Sequence, residues 1–358
     1  MNLIGLAERR WIPDSLIRMG IRRLLRRRQR EDAPLSAEQQ QQLARQFAEE
    51  LRESPLAIEA EAANAQHYEV PAAFFQSVLG PHLKYSCCLY ENPRTTLAEA
   101  EEAMLRTTCQ RADLADGQRI LELGCGWGSL SLWMAKQYPG SSITAISNSH
   151  SQRENIQQQA ESQGLENLRV ITADMRDFET GEQFDRVVSV EMFEHMRNYQ
   201  LLLQRISRWL TPEGKLFVHI FCRRRLPYVF ETEGEDNWMG RHFFTGGIMP
   251  SVDLFSHFRD DLAVTESWTI NGEHYARTCD DWLRNLDRRR GEIETLFANG
   301  MEGSEARLMV QRWRMFFMAC AELFRYDGGD EWFVGHYLLE PVTREAETRH
   351  EGEPMTVA

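Results

Sequence analysis

Arg119-Ile-Leu-Glu-Leu-Gly-Cys-Gly-Trp-Gly128 constrains this chain more than any other stretch. A short apolar run ending in three glycines at alternate positions predicts a buried strand, a tight turn and then a helix. Glycine suits the turn because it tolerates positive φ, and its missing side chain lets a ligand lie against the backbone. The helix expected over 129–138 aims free N–H groups and the positive end of its dipole at the same crevice. A small ligand with an anionic or carboxylate group fits there. A nicotinamide fingerprint would require G-x-G-x-x-G and an acid about 20 residues on. Here the third glycine comes one residue early, and the second strand, Ser142 to Ser147, runs into Asn148.

Beyond Ile120 apolar strands alternate with helices. Strands are expected at 119–123, 142–147, 168–172, 184–190 and 214–221, and helices at 129–138, 150–162 and 198–210. This order predicts an α/β fold with a mostly parallel, doubly wound sheet and helices on both faces. Ligands on such sheets bind beyond the carboxyl ends of the strands, which draws attention to Gly124–Gly128, Asn148, Asp174 and Glu191. The alternation stops at Cys222. Residues 222–260 are too long for a structureless connection in a compact domain and predict a cover over the substrate. A short strand at 263–268, helices near 279–299 and 304–325, and a final strand at 332–339 follow. Ahead of the sheet, helices are expected at 13–30, at 36–50 behind a Ser36/Gln39 capping box, from Pro71 to about Gly80, and from Thr96/Glu99 to about Asp113. The segment Leu83–Tyr90 is too polar and too short for a core strand. The division expected is an N-terminal helical extension over 1–65, a catalytic domain over 66–340 with covering insertions at 222–260 and 279–325, and a polar tail over 341–358.

Charge narrows the partners. The net charge is −13, yet residues 1–30 carry nine arginines against Glu8 and Asp14, a local +7 that leaves −20 for the rest. So acidic a body argues against nucleic acid. The basic helix has Leu16, Ile17, Ile21, Leu24 and Leu25 at helical spacing. It fits either an anionic membrane surface or, as the favoured expectation, the acidic body of the protein itself. Seven scattered cysteines without a C-x-x-C pair argue for reduced thiols and a cytoplasmic setting.

After the fourth strand stands Val190-Glu-Met-Phe-Glu-His-Met196. On a helix Glu191, Glu194 and His195 would share one face. Two carboxylates and an imidazole suit the binding of an amine and removal of its proton, without which nitrogen has no lone pair to offer. One histidine with two glutamates is an incomplete metal set. Asp174 could accept from an adenine amine with Met175 against the ring, or merely cap a helix. His219, within the fifth strand, reads as a satisfied core histidine, and Cys320 as a small buried hydrophobe.

An acid closing the first strand ahead of G-x-G-x-G, here Glu122, Gly124 and Gly126, resembles the S-adenosylmethionine loop of class I methyltransferases, whose carboxylate side faces the cofactor's ammonium group. Six blocks in order make the likeness specific: Lys84-Tyr-Ser-Cys-Cys88, Glu122–Gly126, Glu191–Tyr199, Phe243–Ser251, Asn271–Thr278 and Ala321–Trp332. The chain resembles the plant coclaurine N-methyltransferases, within the cyclopropane-fatty-acid synthase superfamily, from about Gln66 to Leu339. The resemblance implies a seven-stranded Rossmann-like sheet with its last strand antiparallel, and S-adenosylmethionine as cofactor. It places Tyr85, Ser86, Gly124, Asn148, Gln152, Asp174 and Met175 against that cofactor. Glu122, Gly126 and Val190 complete the expected set. It also makes Glu194 the amine-binding carboxylate, His195 the base and Glu191 their support.

The synthases of the superfamily hold a bicarbonate base with a Cys, a Glu, a His and a Tyr, and the matching Cys87, Glu194, His219 and Tyr275 are all present. A cysteine matching Cys320 also occurs in that branch. Glu191 discriminates, because synthases usually have glycine there and N-methyltransferases an acid. The expected activity is therefore methylation of a small-molecule amine nitrogen. Methylene transfer to an unsaturated lipid chain is the alternative, and a binding protein without catalysis is a distant third. The partners expected are that amine or lipid, an anionic membrane touched by the basic helix, and a second copy of the chain in a homodimer.

Overall fold

The computed structural model describes residues 3–58, 70–234 and 236–342. Its strands are β1 (Arg119–Leu123), β2 (Ser142–Ser147), β3 (Leu168–Thr172), β4 (Phe184–Val190), β5 (Leu210–Arg223), β6 (Tyr228–Val229), β7 (Ile248–Met249), β8 (Leu262–Ile270) and β9 (Trp332–Pro341). Seven of them form one sheet in the order β3-β2-β1-β4-β5-β9-β8, and β6 pairs with β7 alone. Strands β1 to β5 run parallel, and β9 lies antiparallel between β5 and β8. Unbroken runs of buried side chains such as Ile120–Leu123 suit strands covered on both faces by helices. The chain order switches direction between β1 and β4, and the crevice opens there.

The helices are α1 (Leu3–Glu8), α2 (Asp14–Asp32), α3 (Ala37–Glu53), α4 (Ala72–Val78), α5 (Leu97–Arg111), α6 (Ser129–Gln137), α7 (His150–Gln163), α8 (Tyr199–Trp209), α9 (Trp238–His242), α10 (Gly272–Arg288), α11 (Arg290–Ala298) and α12 (Gly303–Arg325). Both expected capping boxes form, Ser36 with Gln39 and Thr96 with Glu99. One expectation fails. The helix read from 279 begins at Gly272, because the Asn271 side chain accepts the Glu273 N–H at 2.9 Å and caps it there. It breaks at Arg289 before α11. Tyr275 therefore rides on a rigid helix, with Cys279 and Trp282 on the same inward stripe.

The basic helix α2 turns Ile17, Ile21 and Leu25 into the core that also holds α10 and α12. Arg18 pairs with Asp280 at 2.7 Å and Glu322 at 2.9 Å, and Arg22 with Glu322 at 3.1 Å. In return Arg314, buried on α12, reaches Asp14 and Asp287, each at 2.6 Å. Packing on the acidic body, the favoured expectation, is what these pairs display. Arg23, Arg26 and Arg30 stay on the solvent side with Leu16, Met19 and Leu24. The expected boundary at 65/66, the start of the likeness at Gln66, and the tail beyond Val342 lie outside the described residues. Among the described residues no helix is long and apolar enough to cross a membrane, and the cysteines are buried and unpaired.

Arg314→Leu should loosen the N-terminal helices. Its two acidic partners are partly exposed, so a loss of about 1–3 kcal/mol is expected, below the range for a fully buried pair. Chemical denaturation and the rate of proteolysis within residues 9–13 check it, and an unchanged midpoint and cleavage rate would contradict the clamp.

Candidate active site

The turn after β1 has the expected backbone. Gly124, Gly126 and Gly128 hold φ of 77°, 51° and 83°. A Cβ on Gly124 would lie 2.8 Å from Met192 Cγ, whereas one on Gly126 meets nothing within 4 Å and would stand in the crevice. Two adjoining cavities share Gly124, Gly126, Gln152 and His195. Asn148, Asp174 and Met175 border one. Tyr85, Ser86, Glu122, Val190, Glu191, Glu194, Tyr275 and Cys320 border the other.

Glu122 is 2 % exposed. Burial pushes its carboxyl up to about 7, and the Ser131 hydroxyl that donates to it pulls only part of the way back. An anion so placed wants a cation. Gln152 accepts from Ser147 Oγ at 2.7 Å, while its Nε2 has no partner among the described residues. Asp174 closes a turn and caps no helix. Its Oδ1 takes the Arg176 N–H at 2.8 Å and its Oδ2 the Arg176 guanidinium, yet it still borders the cavity.

The segment from Leu83 to Tyr90 is a loop with a buried organiser that sequence reasoning missed. Glu101, fully buried on α5, accepts the backbone N–H groups of Gly80 at 3.1 Å, His82 at 2.9 Å and Lys84 at 3.3 Å. Lys84, itself buried, donates to Ser86 Oγ and to the Cys87 carbonyl at 2.8 Å. These bonds fix Tyr85, Ser86 and Cys87 over the carboxyl end of the sheet. An apolar-flanked Lys84 was the available signal. Nothing local marked Glu101.

The acidic segment is not the helix face expected. Glu191 has a left-handed φ of 48°, and only Phe193–His195 form a single 3₁₀ turn. The Glu191 N–H donates to the His219 carbonyl at 2.8 Å. That bond is the last rung of the β4–β5 ladder, and the left-handed turn at Glu191 sends its side chain into the wall made by β5, α10 and the Cys87 loop. There its carboxylate accepts from the Cys87 N–H at 3.0 Å, from the Tyr275 hydroxyl and from His219 Nε2 at 3.2 Å. Cys87 contributes its backbone. Burial holds its thiol well above the usual range, and Sγ donates to the Cys88 carbonyl.

Glu194 is 1 % exposed, and its Oε2 has no partner among the described residues. Burial first, then the charge on Glu191, push its carboxyl well above the carboxylate range. Glu191 is also pushed up by burial, but Tyr275, Lys84 and the Cys87 N–H oppose the shift. Of this pair Glu191, pushed up to about 7, gives up its proton the more readily. His195 borders both cavities, and its ring stacks on Phe244 with centroids 6.1 Å apart. Cys320 is a cavity-wall thiol that is 7 % exposed. His219 is more than a satisfied core histidine, since its Nε2 faces the site.

Residues 57–332 match the sequence model of the family described as mycolic acid cyclopropane synthetase. The (S)-coclaurine N-methyltransferase of Thalictrum flavum subsp. glaucum is 38% identical over 344 residues, covering 95% of this chain and 95% of its own. A coclaurine N-methyltransferase crystallised with N-methylheliamine and SAH matches with a TM-score of 0.91 at 37% identity, over 94% of this chain and 98% of that one. A cyclopropane synthase from Mycobacterium tuberculosis matches with a TM-score of 0.69 at 25% identity, over 80% and 99%.

A cationic ligand and a proton compete for a buried carboxylate. Affinity for S-adenosylmethionine should therefore weaken as pH falls through about 7, by up to about tenfold per unit, because Glu122 must ionise to meet an ammonium group. Calorimetry between about pH 5.5 and about pH 7.5 measures this. Glu122→Gln should bind more weakly and lose most of the slope, and a variant that keeps the full slope would contradict this role for Glu122.

Proposed function

The chain belongs to the mycolic acid cyclopropane synthetase family, and we propose that it moves the methyl group of S-adenosylmethionine to the nitrogen of a small-molecule amine. Within the family its likeness runs to named N-methyltransferases along nearly the whole chain. The single observation that carries the amine reading is the seat of the Glu191 carboxylate. In the synthases that the chain also resembles, groups matching Cys87, Glu194, His219 and Tyr275 hold a bicarbonate. Here the Cys87 N–H, His219 and Tyr275 already hold a carboxylate of the protein itself. A second anion would have to displace a tethered one or sit beside a like charge in a largely enclosed pocket. The base that an alkene acceptor requires has lost its place.

The residues present suit the methyl donor. Glu122 is a buried carboxylate in want of a cation, Gly126 leaves the turn bare, and Gln152 keeps an unpartnered amide donor among the described residues. Tyr85, Ser86, Asn148, Asp174, Met175 and Val190 complete the walls on that side. When bound, S-adenosylmethionine supplies an electrophilic methyl group. Glu191, once ionised, supplies a tethered negative charge that draws in an ammonium and favours the cationic product. Glu194 Oε2 has no partner among the described residues, and a cationic amine beside it favours the ionised form, which can accept the amine's proton. His195 shares that task. Phe221, Phe230, Phe244, Phe316 and Phe324, with Met239 among them, give the acceptor side a mostly aromatic wall, which suits an amine borne on a flat, apolar body.

His195→Ala should lower amine methylation by roughly 10² to 10⁴, the usual worth of a positioned base, and the deficit should shrink at high pH, where the amine is already free. Tyr275→Phe should cost about tenfold or less, and removal of bicarbonate should cost nothing. Kinetics on an aromatic amine panel and on unsaturated phospholipid vesicles measure this. Activity on the lipid that vanishes without bicarbonate and with Tyr275→Phe, yet survives His195→Ala, would overturn the amine reading.

A further inference from the structure

Behind Glu191 a line of buried polar side chains runs through the sheet, away from both cavities. His219 on β5 and His336 on β9 stand directly opposite each other in the antiparallel register, and each is fully buried. His219 Nε2 lies 3.2 Å from Glu191 Oε1. His219 Nδ1 lies 2.9 Å from His336 Nε2, and His336 Nδ1 lies 2.9 Å from Nη1 of Arg111, the last residue of α5. Arg111 is steadied by the ring of Trp268, 5.1 Å from its guanidinium carbon. Trp268 faces His336 across the β8–β9 register.

The chemistry of the last member sets the direction of the whole line. A guanidinium donates and never accepts. His336 Nδ1 must therefore accept, which puts the His336 proton on Nε2. That proton points at His219 Nδ1, so Nδ1 accepts in turn and the His219 proton sits on Nε2, aimed at Glu191. The account needs both rings neutral. Burial holds both far below the usual histidine range, and the charges of Lys84 and Arg111 add to the effect. We infer that Arg111 and His336 are positioning residues for Glu191: together they lock two histidines into single tautomers and keep an N–H aimed at the carboxylate.

The line also separates two jobs. Arg111 does not give up a proton, so the line is closed to proton flow at its far end. It holds Glu191 as an anion and leaves proton removal to Glu194 and His195. The charged and titratable groups facing Glu191 are Lys84 and Cys87 from the loop, His219 from β5, Tyr275 from α10 and Glu194 from the 3₁₀ turn. His219 is the one among them whose proton a remote residue dictates.

The tautomer assignment is independent of the acceptor, and only the kinetic arm rests on the amine reading. Nitrogen-15 NMR of histidine-labelled full-length protein, without substrate, should show both His219 and His336 as neutral Nε2–H tautomers. Arg111→Met should mix the His219 tautomers. It should also lower kcat about tenfold, the usual scale for an outer hydrogen-bond partner, at unchanged KM, and raise the acidic limb of the kcat–pH profile. His336→Gln, whose amide can accept from Arg111 and donate to His219, should restore the profile where His336→Leu does not. A wild-type His219 carrying its proton on Nδ1 would overturn the inference, as would an Arg111→Met protein with unaltered tautomers and pH limb. Correct tautomers in a protein that methylates no amine would sink the functional proposal and leave this inference standing.

Discussion

A buried carboxylate held by three donors is the interaction on which the rest of the site depends. Taking Glu191 out of water costs several kcal/mol. Hydrogen bonds to a charged group return about 1.5–3 kcal/mol each, and the carboxylate receives them from the Cys87 N–H, Tyr275 and His219. Each donor comes from a different part of the fold. The Cys87 loop is tied down by Glu101, Tyr275 rides on a helix capped at Asn271, and His219 is fixed in the sheet. The fold is therefore organised to present one largely shielded carboxylate at the carboxyl end of β4.

That charge decides what its neighbours do. Glu194 is driven toward its protonated form by burial and then by that charge, and its Oε2 has no partner among the described residues. Glu122, across the crevice, is a second buried carboxylate with a single hydroxyl partner. Glu122, Glu191 and Glu194 all border one cavity, which meets its neighbour at Gly124, Gly126, Gln152 and His195. This arrangement fits two substrates, each bearing positive charge, brought together where positioning supplies much of the rate.

Much of this was legible in the sequence where local chemistry decides structure. The bounds of β1 to β4 follow from apolar runs, and two helix starts follow from capping boxes. The side chains ahead of the turn and after each strand were legible because an open α/β sheet places its ligands there. Spacing failed at Glu191. A helical reading assumes ordinary backbone, and Glu191, at the last rung of the β4–β5 ladder, is left-handed instead. It failed again at Glu101, Arg111 and His336, whose partners lie tens to hundreds of positions away. A single sequence carries no sign of which strand will stand opposite which, so His219 read as an isolated histidine until β9 placed His336 beside it.

The central claim is that the Glu191 carboxylate fills the anion seat that a synthase leaves to bicarbonate. Glu191→Gly tests it most directly, since glycine readily adopts the positive φ at that position and the variant should fold. Amine methylation by Glu191→Gly should fall at least about tenfold, and added bicarbonate or formate should restore part of it in a saturable way, with no such effect on the unaltered protein. Full activity in the variant, indifferent to either anion, would contradict the account.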